Sequence, residues 1–124
     1  MKAKAAFIFG ALVSAFFGIC LTFFPAWSGD LFDLEYIEDS ILVTRLFGAA
    51  LVGNAVILWQ VNDDSPSEAR RNIILGEIFH SGIASVIWIM AIIQGLGNIL
   101  TWIPALCHII LTVWFGYLYI KGAK

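Results

Sequence analysis

From Ile78 to Ile120 the chain carries no Asp, Glu, Lys or Arg. Such a run cannot coat a soluble domain, in which roughly a quarter of the residues are charged. A helix crossing a hydrocarbon core about 30 Å thick needs about 20 mainly apolar residues, so the run is too long for one span and suits two. Gly95, Gly97, Asn98 and Pro104 interrupt it. They predict a tight turn, with Thr101 as the cap of the following helix and Pro104 tolerated in its first turn. The rest of the chain reads the same way, since hydrophobic residues make up 60% of the whole and charged residues 13%. Spans are expected at about 5–24, 41–61, 72–94 and 101–120. The fold class is an all-α membrane protein, a four-transmembrane-helix bundle with residues 1–124 as its single domain.

The start of the chain also has the look of a secretory signal, with Lys2, Lys4, an apolar run and Val13-Ser14-Ala15 as a cleavage-like site. The apolar run continues to Phe24, however, and Ile19 before Cys20 does not suit a lipoprotein site. The segment is read as the first transmembrane helix.

Basic flanks are retained on the cytoplasmic side of a membrane. Lys2 and Lys4 precede helix 1, Arg70 and Arg71 fall in the second loop, and Lys121 and Lys124 follow helix 4, while the first and third loops have none. Both termini are therefore expected in the cytoplasm and the acidic first loop outside, in a prokaryotic inner membrane. That loop, "PAWSGDLFDLEYIEDS", alternates Asp30, Asp33, Glu35, Glu38 and Asp39 with Leu31, Phe32, Leu34, Tyr36 and Ile37. It suits a segment lying on the outer surface with carboxylates in water; the rival, a cation-binding or partner-docking face, lacks calcium-loop spacing. No basic patch with interleaved aromatics exists, so nucleic acid is not expected as a partner.

A helical rise of 1.5 Å per residue assigns a depth to each polar group. Glu77 falls about 9 Å inside the cytoplasmic edge of helix 3, Asn54 reaches a similar level on helix 2, and His80 lies about one turn deeper. Arg45 and His108 fall about 6 Å and 9 Å inside the outer edge. Two layers are expected: an inner one of Glu77, Asn54, His80 and Ser81, and an outer one of Arg45 with His108. Glu77, His80, Ser81, Ala84, Ser85 and Trp88 recur at three and four residues and share one helix face, which should look into the bundle. Ala105, His108, Thr112, Gly116 and Tyr119 form a similar stripe on helix 4. Gly10, Ser14 and Gly18 on helix 1, and Ala49 with Gly53 on helix 2, have the spacing that lets helices approach closely in lipid.

A charge at mid-membrane costs about 2.5–3.5 kcal/mol on insertion scales. Glu77 can offset this through Asn54, Ser81 or a proton shared with His80, as a relay or a binding site for a cationic or polar ligand; alternatively its carboxylate snorkels to water. Arg45 reads as an interfacial anchor, with an anion or lipid-headgroup site beside His108 as the alternative. His80 and His108 differ in counted depth by about 7–8 Å, which disfavours a haem held between them. Single-histidine ligation of a haem or of chlorophyll-type magnesium stays open, against the plainer reading of an interhelical hydrogen bond. The Glu77/His80 spacing matches half of a di-iron carboxylate site, but no second acid lies in the spans, so no metal site and no catalytic residue is assigned. Cys20 and Cys107, without a CxxC, read as buried small hydrophobes. Trp27 and Trp102 at one edge, and Trp59, Tyr117 and Tyr119 at the other, suit aromatic belts, whereas Trp88 and Trp114 lie deeper, packing or lining a pocket.

The segment "RLFGAALVGNAVILW", Arg45 to Trp59, together with the acidic first loop and the "EARR" before helix 3, resembles small four-helix bacterial membrane proteins of the DoxX-like kind. The likeness implies a four-helix membrane fold and transfers no activity and no site residue. Two functions are expected. The first is a non-enzymatic integral membrane subunit or accessory protein that has membrane lipids and a membrane-protein partner, or further copies of itself, as neighbours. The second is a membrane binder or proton-coupled transporter of a small molecule, lipid or pigment, using Glu77, His80 and Asn54.

Overall fold

The computed structural model describes residues 3–35, 38–62 and 67–122, with backbone alone for Glu38 and Asp39. The basic flanks Lys2 and Lys124, Tyr36 and Ile37 of the acidic loop, and the side chains of Glu38 and Asp39 lie outside the described residues. The described chain is helical: α1 (Ala3–Phe23), α2 (Pro25–Phe32), α3 (Glu38–Gln60), α4 (Glu68–Ile93), a 3-10 turn (Ile99–Thr101) and α5 (Trp102–Ile120). Four of these segments are long and apolar enough to cross a membrane, with at most 33% of any span buried inside the protein. The remaining faces present side chains such as Leu12, Phe16, Leu46, Phe79, Ile83 and Val113 outward, as helices in lipid must.

The spans form two antiparallel pairs. In the first, α1 runs against α3, and Gly18 and Gly48 let the two backbones come into contact. A Cβ on Gly18 would lie 2.8 Å from the Val52 nitrogen, and one on Gly48 would lie 2.9 Å from the Gly18 carbonyl oxygen. Small residues permit that approach, and dispersion over it supplies the helix association that hydrophobicity cannot supply in lipid. Gly10, Ser14 and Gly18 are all buried, as their spacing predicts. Ala49 and Gly53 are not: both are exposed, and a Cβ on Gly53 would meet nothing. Gly48 takes the contact because the face of α3 turned toward α1 carries Gly48 and Val52. In the second pair α4 runs against α5, and the two pairs join where α1 meets α5. Ala3, Phe7, Leu58, Ile74, Phe115 and Leu118 close the core at the end that holds both described termini.

The opposite end is built by two chain reversals tied together. Helix α1 stops at Phe23 because Pro25 lacks an amide hydrogen and disfavours helical geometry in the residue before it; Phe24 accordingly leaves the helix and Pro25 opens α2. Pro25, Ser28, Gly29 and Phe32 form the buried face of α2, and Asp30 points outward. Asp33 ends it at φ 56°, a left-handed conformation that Asp tolerates better than most residues. After α4 the chain turns at Gly95 and Gly97, with φ of 72° and 76°, where a Cβ would be strained. Asn98, not Thr101, is the cap that follows. Its side chain accepts from the Leu100 amide at 2.9 Å and donates to the Leu31 carbonyl at 2.9 Å. Thr101 is already helical and makes no cap bond, because the 3-10 turn begins the helix one turn earlier.

Helix α4 also begins earlier than hydropathy suggests. Ser67, in extended conformation, accepts from the Arg70 amide at 3.1 Å and caps the helix, with Glu68 in the first turn. The second loop is shortened and Arg70 joins the helix, four residues before Ile74 and seven before Glu77, on the buried face.

Candidate functional site

One polar side chain or more from each span converges at the seam between the helix pairs. Asn54 of α3 donates from Nδ2 to the Ser14 hydroxyl of α1 at 3.4 Å and faces the Glu77 carboxyl of α4. One turn on, His80 Nδ1 lies 4.0 Å from Glu77 Oε2, too far for a direct hydrogen bond and close enough for charge on either group to be felt by the other. The His80 ring then meets His108 of α5 edge to face, with centroids 5.7 Å apart and planes at 72°. Ser14, Asn54, Glu77, His80 and His108 thus form one polar chain through the bundle. Glu77 is buried, with its side chain 6% exposed, while His80 is 33% exposed.

A cavity opens beside this chain. Glu77, His80, Ser81, His108 and Ser14 supply its polar wall, and Phe17, Leu51, Trp88, Pro104 and Leu111 are among its apolar lining. Its free space is about 40 Å³, room for two or three waters or a head group of that size. It is much smaller than a haem or chlorophyll macrocycle, which the cavity itself does not enclose. Three hydroxyls in the spans bond back to the carbonyl four residues earlier: Ser85 to Ser81 at 2.7 Å, Thr112 to His108 at 2.8 Å, Thr22 to Gly18 at 2.7 Å. Ser81 differs. Its buried hydroxyl and the buried His108 Nδ1 have no hydrogen-bond partner among the described residues, and both residues line the cavity. Among those residues no three His, Cys, Asp or Glu side chains are arranged to hold a metal ion.

The expected inner layer of Glu77, Asn54, His80 and Ser81 is therefore brought together, but the outer layer is not. His108 belongs with the inner group, and Arg45 is exposed on α3, outside the cavity. Counting depth along the sequence fails here because it treats the α4–α5 link as flat at the membrane edge. The link instead folds back. Asn98 N donates to the Phe32 carbonyl at 2.9 Å, and the Phe32 ring lies 6.3 Å from that of Trp88, before the end of α4. Helix α5 thus starts well inside the end of α4, and His108 arrives opposite His80. The counted offset of about 7–8 Å does not survive this geometry.

Two residues of chemical interest escape sequence reasoning. Arg70, placed in a loop by its charge, is 2% exposed, with its guanidinium 5.1 Å from the centre of the Phe7 ring; the Ser67 cap was the available signal. Ser14, read as a packing residue, joins the polar chain. Trp114 packs on Phe9 at 6.3 Å while Trp88 lines the cavity, and Cys20 and Cys107 are free thiols, each half-buried. Comparisons with protein-family models, with curated proteins and with solved structures each found no match to this chain.

Proposed function

We propose that this protein is an integral membrane binder that takes up a small polar group within the bilayer and exchanges it with protons at Glu77, His80 and His108. The observation that carries the reading is the convergence of ionisable side chains from α4 and α5 on a small cavity at the seam of two helix pairs. Ionisable groups inside a membrane are costly and mark ligand or proton pathways by default. A seam between two tightly packed pairs is also where relative motion disturbs the fewest contacts. In this reading both termini face the cytoplasm of a prokaryotic cell and the acidic loop faces outward, by the distribution of basic residues. The DoxX-like resemblance of Arg45 to Trp59 belongs to the same proposal and assigns no site residue.

Infrared difference spectra of the protein in lipid, cycled between acid and alkaline buffer, test it. A carboxyl band that appears and disappears with the cycle, is lost in Glu77→Gln and moves in His80→Ala is the expected result. A spectrum in which no band depends on Glu77 removes the proton-exchange function.

The accessory-subunit reading is favoured by a different feature, the exposed Ala49 and Gly53 on α3, where a foreign helix could approach closely. A partner chain that co-purifies in fixed ratio, and is lost on Gly53→Leu, would support it.

A further inference from the structure

We propose that the cavity seats the primary ammonium head of a membrane-partitioned alkylamine, whose hydrocarbon tail lies in the groove between α3 and α4. The inference rests on the reading of Glu77, His80 and His108 as a ligand site and names the class of ligand. The first support is the direction in which the cavity opens. Toward the end that holds the termini the core is packed at Phe7, Leu58, Ile74 and Phe115; toward the other Phe32 lies against Trp88. The most exposed residue of its lining is Phe47 of α3, at 49%; His80 of α4 is 33% exposed, and Phe17 and Leu21 of α1 and His108 of α5 are half-buried. Entry is therefore sideways, out of the acyl chains, and a ligand that uses it must first dissolve in the bilayer.

The second support is hydrogen-bond capacity. Ser81 Oγ and His108 Nδ1 are buried and unpartnered among the described residues, and the Glu77 carboxyl lies across the same space. An alkylammonium head carries three N–H donors and no acceptor, so one such head can satisfy a carboxylate, an imidazole nitrogen and a hydroxyl at once. A fatty acid would bring its charge against that of Glu77, and a fatty alcohol offers a single donor. The third is size: about 40 Å³ accepts a head comparable to a few waters; a trimethylated head has no N–H donor and would leave Ser81 and His108 unsatisfied. Beyond the head the walls turn apolar at Phe17, Phe47 and Leu51, which suits a tail.

The experiment is equilibrium binding of tritiated dodecylamine to the full chain in lipid nanodiscs, with empty discs as background. Saturable excess binding is expected, competed by unlabelled dodecylamine but not by dodecanoate, dodecanol or dodecyltrimethylammonium. Glu77→Gln should weaken it roughly tenfold or more, the loss of about 1.4 kcal/mol. Should that variant not fold, Phe47→Trp, which narrows the side opening and leaves the polar chain intact, should reduce binding in its place. Absence of excess binding, or binding that neither variant changes, overturns the inference. If excess binding is absent while the Glu77 carboxyl band still titrates, the alkylamine alone is wrong; if both are absent, the site itself is.

Discussion

His80 and His108 stand edge to face with ring centroids 5.7 Å apart, brought together from opposite sides of the α4–α5 reversal. The contact joins the acid-bearing helix to the last span and makes one polar layer out of groups that sequence position separates.

If the two rings are energetically coupled, His80→Ala and His108→Ala should not add. A double-mutant cycle in mixed-micelle unfolding should return a coupling of about 0.5–1.5 kcal/mol, the range for an edge-to-face ring pair. Additivity would mean that the rings do not interact.

Two glycines on α3 should respond oppositely to a methyl group. Gly48→Ala drives a Cβ into the Thr22 backbone and the Gly18 carbonyl and should cost about 1–3 kcal/mol through forced separation of α1 from α3. Gly53→Ala meets open space and should be neutral or stabilising by up to about 1 kcal/mol, since alanine is the better helix former. Equal effects would contradict the register of this pair.

Adjacent arginines should differ as well. Arg71 is exposed, its guanidinium 5.1 Å from the centre of the Tyr119 ring, and Arg71→Ala should change stability by no more than about 0.5 kcal/mol. Arg70→Ala removes a buried side chain and its cation–π packing on Phe7 and should cost about 2–3 kcal/mol. Thermal unfolding of the two variants side by side gives the comparison.

Asn98 ties the α4–α5 link to α2 through the Leu31 carbonyl and caps the 3-10 turn. Asn98→Ala should cost about 1–2 kcal/mol and raise amide exchange across Pro25–Phe32. Unchanged exchange there would show that α2 is held by its apolar face alone.

The four spans were legible because a stretch such as Ile78 to Ile120 has no other home than lipid. Helix-face periodicity on α4 was legible too: Glu77, Ser81 and Ser85 are buried as their spacing requires. The choice between Gly48 and the Ala49/Gly53 pair was not, because a span that is largely buried in lipid is apolar on every side and loses the contrast that orients a helix in water. Nor was the depth of His108, which depends on where the α4–α5 link re-enters the bundle, and that is set by Asn98 meeting α2 far along the chain. Arg70 was misplaced because its charge outweighed the Ser67 cap in setting the edge of the span.

Whether His108 belongs to the layer of Glu77 and His80 is tested most directly by thiol bridging with mercuric ion in native membranes, in a Cys20→Ala, Cys107→Ala background. His80→Cys combined with His108→Cys should bridge readily, and Arg45→Cys combined with His108→Cys should not. Bridging of the Arg45 pair with none at the His80 pair would restore two separate layers and remove the site described here.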